Sequence, residues 1–187
     1  DELCMTCSVA VAGMGMGNSH ATGQIITRLL AQEDCPVVID ADGLNALCDL
    51  PGFDRDLRAS AVLTPHPGEA KRLLAALSIE ADPAGDEAQR IDACTRLAQR
   101  LGCVIALKGK GTVVSDGHRV WVCERGTPAL AQTRQEPAID LLHAAALGVQ
   151  AHALAGESWA KSHHDEGGLI ASELGDLFPE VMHTLRK

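Results

Sequence analysis

The sequence predicts an α/β protein with a doubly wound, mostly parallel sheet, because two strand–turn–helix units follow each other. In the first unit, the apolar run at residues 36–39 leads into residues 40–47, where polar side chains precede a helix. In the second, the short apolar run at 61–63 leads into residues 64–69, which place a proline at the first helical position and a glutamate in the first turn. Strands that alternate with helices in this way form parallel sheets.

The remaining elements follow from apolar spacing and turn signals. Early in the chain we expect a strand at 8–12, a helix with Ile25, Ile26, Leu29 and Leu30 on one face, a polar connection at 51–60 and a helix at 67–77. The next helix begins after Asp86, with Gln89 in the capping-box position, and Cys94 lies on its inner face. A strand at 103–107, a glycine-rich turn at 108–112, a hairpin around Asp116-Gly117, a helix from about 138 to 156 and more helix after 168 complete the chain.

Composition excludes two classes of partner. The formal net charge of −9 argues against nucleic acid, whose binding relies on a basic surface. No apolar run is long enough to span a membrane and no signal peptide is recognisable, so we expect a cytoplasmic protein.

The seven cysteines are scattered among apolar residues, which is typical of a reducing compartment. Cys4 and Cys7 have zinc-like spacing, but no second pair answers them, and no metal site is predicted.

The 187 residues fit a single domain that lacks its first elements. The first predicted strand begins near residue 8, and no helix precedes it to cover one face of the sheet. We therefore expect such a domain to need a partner surface, for example a second copy of the chain in a homo-oligomer.

The turn after the first strand contains Gly13, Gly15 and Gly17. Glycines here would let the backbone approach a phosphate or a flat ring, or they would serve the geometry of the turn alone. The spacing is not that of the dinucleotide-binding fingerprint, and both interpretations stay open.

Two further turns carry groups that suit a nucleotide ligand. His66 lies in the turn after the strand at 61–63, where an imidazole can contact a ligand or move a proton. The alternative is a histidine that only caps the helix. The turn Lys108-Gly109-Lys110-Gly111-Thr112 joins exposed N–H groups to two cations, which favours a phosphate over the alternative of a basic turn in water.

Several other polar residues have simpler interpretations. Asp42 is predicted to be the N-cap of the second helix and Asp40 a structural acid, rather than a carboxylate pair. The run at residues 163–166 is expected to be a solvated loop, and His143 and His152 to be packing or surface residues of the late helix.

Several segments, taken in the order in which they occur along the chain, resemble those of the NAD(P)H-hydrate dehydratases, a branch of the ribokinase-like fold. The matching segments are VIDADGLN at 38–45, LTPHPGE at 63–69, LKGKGT at 107–112, and the helices at 148–156 and 167–174. The LTPHPGE segment is the most specific of these matches. Together the matches cover the chain from about residue 8 onward. The resemblance implies a three-layer α/β/α domain over residues 1–187, with a mostly parallel sheet and a truncated N-terminus.

The resemblance also implies a function in nicotinamide nucleotide repair. ADP or ATP phosphorylates the ring hydroxyl of hydrated NADH or NADPH, with Mg²⁺ as the expected metal, and loss of phosphate restores the dihydropyridine. Gly17 and His66 would contact the hydrate, and Lys108, Gly109, Lys110, Gly111 and Thr112 the nucleotide. Two alternatives stay open: a ribokinase-like kinase of a vitamin precursor, and a non-catalytic nucleotide-binding remnant.

One segment departs from the family pattern. After the GTPALA sequence at 126–131, the family has a glycine-rich GTGD helix start, which supplies an anion hole and an activating Asp. Here no glycine lies between Gly126 and Gly148, and Asp140 matches the later helix instead. No catalytic residue is therefore assigned. We expect phosphoryl transfer to be lost, since removal of even one such donor costs about 10²–10³ in rate.

Overall fold

A single sheet organises the described part of the chain. The structure, a computed structural model, describes residues 7–55, 57–124, 139–163, 169 and 171–185. Within these ranges the strands are β1 (Ala10–Ala12), β2 (Val37–Ile39), β3 (Ala61–Leu63), β4 (Val104–Leu107), β5 (Val113–Ser115) and β6 (Val120–Val122). They lie side by side in sequence order; β1 to β4 are parallel and β5 and β6 are antiparallel. The mostly parallel sheet is thus confirmed.

The chain divides into two compact units, Asp1–Val122 and Cys123–Lys187. The first unit holds the sheet and the helices α1 (His20–Ala31), α2 (Asp42–Cys48), α3 (Pro67–Ala76) and α4 (Glu87–Leu101), with a 3₁₀ turn at Phe53–Arg55. Each predicted strand–helix unit is present with bounds within two residues of those expected. The 3₁₀ turn lies in the connection expected to be polar, where Phe53 is buried.

The helices begin where local chemistry satisfies their first N–H groups. The Ser19 hydroxyl accepts a hydrogen bond from the N–H of Thr22, three residues later, and so caps α1. Asp86 and Gln89 form the predicted capping box of α4. Helix α4 then ends at Gly102, whose φ of +63° is the left-handed conformation that glycine adopts without strain. Local sequence therefore determines where α1 and α4 begin and where α4 ends.

The core of the first unit lies against one face of the sheet. Alternate strand residues point into it, among them Ile39, Leu63 and Ile105, each at most 1% exposed. Leu73 of α3 and Leu97 of α4 pack in the same cluster and are fully buried. Burial of each such side chain stabilises the fold by about 1.5–3 kcal/mol. The strands, and with them the turns at their ends, are therefore held in place by a packed apolar core.

The described cysteines are free thiols, as expected for small apolar residues in this composition. Burial raises the pKa of Cys94 to about 12, and burial followed by the proximity of Cys94 raises the pKa of Cys103 to about 12. Burial, and next the charge of Asp49, raises the pKa of Cys48 to about 11. All three thiols are therefore protonated in the folded chain at neutral pH.

We expect iodoacetamide at about pH 8 to alkylate the exposed Cys7 well before Cys94 and Cys103, because the thiolate is the nucleophile. Peptide mass mapping over time would measure the order. In denaturant the three residues should react alike, which controls for intrinsic reactivity. Equal labelling of Cys7 and Cys94 in the folded chain would contradict the burial described here.

The second unit contains the helices α5 (Leu141–His163) and α6 (Ala171–Leu185). Ala151 and Ala155 of α5 pack with Val181 of α6 in a small apolar cluster. Asp140 caps α5 through the N–H of His143, 2.9 Å from its carboxylate oxygen, in keeping with its match to the later helix. The predicted end near residue 156 is wrong: Gly156 lies inside α5, and the buried Trp159 continues the helix.

Some predictions concern residues outside the described ranges. These are the Cys4 end of the zinc-like pair, the segment at 126–137 that departs from the family pattern, and residues 164–166 of the expected solvated loop. Among the described residues, no cluster of three or more His, Cys, Asp or Glu could hold a metal ion. In the same part of the chain, no helix has the length and hydropathy needed to cross a bilayer.

Candidate functional site

The turns that follow β1, β2, β3 and β4 form a row at one edge of the sheet, because parallel strands end at the same edge. In chain order these turns are residues 13–17, 40–42, 64–69 and 108–112. Backbone N–H to carbonyl hydrogen bonds join neighbours in the row: Asp40 to Ala12 at 3.1 Å, Thr64 to Ile39 at 3.1 Å and Lys108 to Pro65 at 2.8 Å. We call these four connected turns the strand-end row.

Gly13 allows the first two turns of the row to touch. Its φ is +117°, and a Cβ built on it would lie 1.9 Å from the carbonyl oxygen of Asp40. Gly15 and Gly17 also have positive φ, but a Cβ on either would meet no described atom within 4 Å. The geometric interpretation therefore explains Gly13, while a ligand contact at Gly17 stays a prediction.

The prediction that Asp42 caps the second helix is wrong. The N-cap of α2 is Ala41, whose φ of 52° and ψ of −122° turn the chain sharply, and no side chain caps this helix. Because of that turn, Asp42 becomes the first helical residue, and its Oδ2 accepts a hydrogen bond from the N–H of Gly17 at 2.9 Å. Asp42 thus holds the glycine turn against the second turn. Positive φ in a non-glycine residue stores about 1–3 kcal/mol of strain, which is common at functional sites.

His66 is both a helix cap and a member of the row. Its Nδ1 accepts hydrogen bonds from the N–H groups of Gly68 at 2.9 Å and Glu69 at 3.4 Å. Its Nε2 lies 3.3 Å from Oε1 of Glu69. The capping alternative is thus present, and it occupies Nδ1 of the ring. The side chain is 56% exposed.

Glu69 connects His66 to the lysine turn. Its side chain is only 6% exposed, and its Oε2 accepts a hydrogen bond from the backbone N–H of His66 at 2.8 Å. Lys108 Nζ lies 3.9 Å from the same oxygen and 2.6 Å from Oδ1 of Asp40. We call Asp40, His66, Glu69 and Lys108 the strand-end cluster. Its ammonium lies between two carboxylates, so the imidazole and the lysine turn share one electrostatic environment.

The turn at 108–112 is built to present backbone donors. Gly109 and Gly111 have φ values of +139° and +66°. The Thr112 hydroxyl donates to the carbonyl of Gly109 at 3.1 Å and closes the turn. Within the described residues, the N–H groups of Gly109, Lys110 and Gly111 donate to no acceptor. Free N–H groups beside the Lys110 ammonium suit an anionic ligand.

Sequence reasoning missed Arg90, which supports this turn. Its guanidinium extends from α4 and donates to the carbonyls of Leu107 and Lys108 at 3.3 Å each, and to the carbonyl of Lys110. A signal was available in the sequence: Arg90 stands four residues before Cys94 and seven before Leu97. It therefore begins the apolar stripe of α4, where a cation requires buried partners.

The described residues offer Mg²⁺ no cage of protein ligands. Asp40 and Glu69 are the buried or half-buried carboxylates of the cluster, and both face the Lys108 ammonium. A magnesium ion at the site would be held mainly by nucleotide phosphates and water, which is the usual mode for this ion.

A cavity of about 540 Å³ lies elsewhere, between α1 and the loop after α2. Its lining residues are Gln24, Thr27, Arg28, Leu50, Pro51, Gly52 and Phe53. None of them belongs to the strand-end row.

Curated relatives share the sequence over most of this chain. A Vibrio cholerae protein named bifunctional NAD(P)H-hydrate repair enzyme Nnr is 37% identical over 99% of the chain and 37% of its own length. A Coxiella burnetii protein of the same name is 32% identical over 96% of the chain and 36% of its own length. The chain thus spans about a third of the length of these relatives.

Solved structures share the fold. An ADP/ATP-dependent NAD(P)H-hydrate dehydratase from Bacillus subtilis, co-crystallised with ATP/Mg²⁺, is 25% identical with a TM-score of 0.73, covering 95% of this chain and 65% of that one. A ribokinase-like superfamily protein from Enterococcus faecalis has a TM-score of 0.70 at 20% identity, over 100% of this chain and 66% of that one. The ribokinase-like α/β fold is thereby confirmed.

The family model described as NAD(P)H-hydrate dehydratase matches residues 2–179, nearly the whole chain. That range includes every turn of the strand-end row. This chain therefore belongs to the NAD(P)H-hydrate dehydratase family.

Proposed function

We propose that this chain binds hydrated NAD(P)H and an adenine nucleotide at the strand-end row and serves the nucleotide-dependent dehydration of the hydrate. The observation that carries the proposal is the strand-end cluster, in which Glu69 lies between the His66 imidazole, 3.3 Å away, and the Lys108 ammonium, 3.9 Å away. A substrate contact and a phosphate contact must be neighbours if phosphate is to pass from one ligand to the other.

Each turn has a part in this proposal. Gly17 and His66 face the hydrate, and more than half of the His66 side chain is exposed. Residues 108–112 face the phosphates, through the N–H groups of the turn and the ammonium of Lys110. Either ADP or ATP serves as the phosphate donor, with Mg²⁺ on its phosphate oxygens.

The reaction has two steps. The hydroxyl oxygen of the hydrate attacks the terminal phosphorus of the nucleotide; its proton leaves, and the bond to the leaving nucleotide breaks. The C–O bond then breaks with departure of phosphate, and loss of a ring proton restores the dihydropyridine. Residues 126–137 stand where the family has its anion hole and activating Asp, and they contain one glycine. We therefore expect both ligands to bind and the first step to be at least about 10²-fold slower than in a relative with the glycine-rich segment.

Calorimetry with ATP, ADP and NADPH tests binding, and recovery of near-ultraviolet absorbance from hydrated NADPH tests turnover. The Bacillus subtilis enzyme, assayed alongside, controls for the quality of the hydrate. Binding of both ligands with slow turnover and release of phosphate would support the proposal. A phosphorylated alcohol that persists would identify a kinase instead, and absence of heat with every ligand would refute the shared site.

Two broader expectations accompany this function. A cytoplasmic location is proposed from the described cysteines, which are all free thiols, as in proteins of reducing compartments. Self-association stays a prediction, which sedimentation of the chain would test.

A further inference from the structure

Three backbone carbonyl groups in and next to the lysine–glycine turn accept hydrogen bonds from one side chain, that of Arg90. The two terminal nitrogens of Arg90 donate to the carbonyls of Leu107, Lys108 and Lys110. Those carbonyls would otherwise be free to point toward a bound phosphate and repel it. With the carbonyls held on the side of Arg90, the N–H groups of the same turn stay free for an anion.

Gly109 makes room for this contact. A Cβ built at Gly109 would lie 3.0 Å from one terminal nitrogen of Arg90 and 3.1 Å from the other. The φ of +139° at Gly109 is itself a conformation that other residues rarely adopt. The turn and the guanidinium thus fit each other. The close approach of Arg90 explains why a glycine stands at position 109 of the turn.

The burial of Arg90 is unfavourable on its own. Its Nε is a buried atom without a hydrogen-bond partner in the described part of the chain, and Arg90 makes no ion pair there. A buried donor left without an acceptor is destabilising. Its three bonds to the turn are therefore the compensating interactions, and they place a positive charge directly behind the donors that would meet the phosphate.

We propose that Arg90 is a positioning residue for the bound nucleotide: it holds the turn at 108–112 in the conformation that presents N–H groups to phosphate, without touching the ligand itself. This inference rests on the proposed function, in which that turn binds ADP or ATP. Arg90 is thus expected to strengthen the binding of ADP and ATP and to have no effect on the binding of NADPH.

Arg90→Met tests the inference, since it keeps the apolar stem and removes every donor. We expect the Kd for ADP and ATP to rise about tenfold or more, while the Kd for NADPH stays unchanged. Arg90→Lys keeps the charge but not the planar fork, so its nucleotide affinity should lie between those of Arg90→Met and the unmodified chain. If Arg90→Met does not fold, Arg90→Lys provides the same comparison.

Arg96→Met is the matched control, because Arg96 lies on the same helix and binds only Glu80 and Asp92 among the described residues. It should leave both affinities unchanged. If the unmodified chain binds neither ADP nor ATP, the proposed function fails. If the unmodified chain binds them and Arg90→Met binds them equally well, or if Arg90→Met and Arg96→Met weaken nucleotide and NADPH alike, the role of Arg90 is overturned while the proposed function stands.

Discussion

Substitution of Gly13 by alanine should destabilise the first unit by about 4 kcal/mol or more, at the upper end of single-residue effects. The added Cβ would lie 1.9 Å from the carbonyl oxygen of Asp40 and 3.0 Å from the backbone nitrogen of Gly43. Backbone atoms of a packed turn cannot yield as a flexible side chain can. Urea unfolding followed by circular dichroism would measure the change in the free energy of unfolding.

Gly15→Ala is the matched control for this prediction. Gly15 lies in the same turn with a φ of +68°, but a Cβ there would meet no described atom within 4 Å. Its cost should be limited to backbone strain, about 1 kcal/mol. Equal losses from the two substitutions would show that the close approach of the first two turns is not what requires Gly13.

Replacement of Glu69 by alanine should weaken both halves of the site together. The change removes the acceptor of the His66 backbone N–H, and it removes a carboxylate that lies 3.3 Å from the His66 imidazole and 3.9 Å from the Lys108 ammonium. Loss of the capping box and of a buried acceptor should lower the free energy of unfolding by about 2–3 kcal/mol. With His66 held less firmly and Lys108 left with Asp40 as its carboxylate partner, we expect calorimetric affinities for ADP and for NADPH each to fall about tenfold.

Glu69→Gln separates geometry from charge. Its amide oxygen can still accept from the His66 N–H, so the cost in stability should be no more than about 1 kcal/mol. A Glu69→Ala variant that loses affinity for only one of the two ligands would contradict the role of Glu69 as the link between them. The joint loss expected for Glu69→Ala differs from the result expected for Arg90, whose replacement weakens binding of ADP and ATP alone.

Much of the fold follows from local sequence. The strands of the parallel part, the capping box of α4 and the hairpin between β5 and β6 are each specified by neighbouring residues, and all three predictions are confirmed. The placement of polar residues at strand ends also predicted one shared edge, since parallel strands have no other arrangement.

The remaining features depend on contacts between distant residues. Lys108 pairs with Asp40 across 68 positions of sequence, and no local pattern indicates that partner. Asp42 was expected to cap α2, but the unusual backbone of Ala41 moved it one position into the helix and toward Gly17. Gly156 resembles a helix end, yet burial of Trp159 carries α5 beyond it.

The engagement of His66 has a consequence for any ligand that reaches this edge. A molecule that takes Nδ1 of the imidazole as a hydrogen-bond acceptor must withdraw the ring from Gly68, Glu69 or both, and so uncaps α3. Recognition through Nδ1 and the integrity of that helix start then compete for the same nitrogen atom. The affinity measured for such a molecule is the difference between the contact it gains and the fraying it causes, whereas a molecule that only stacks on the ring incurs no such loss.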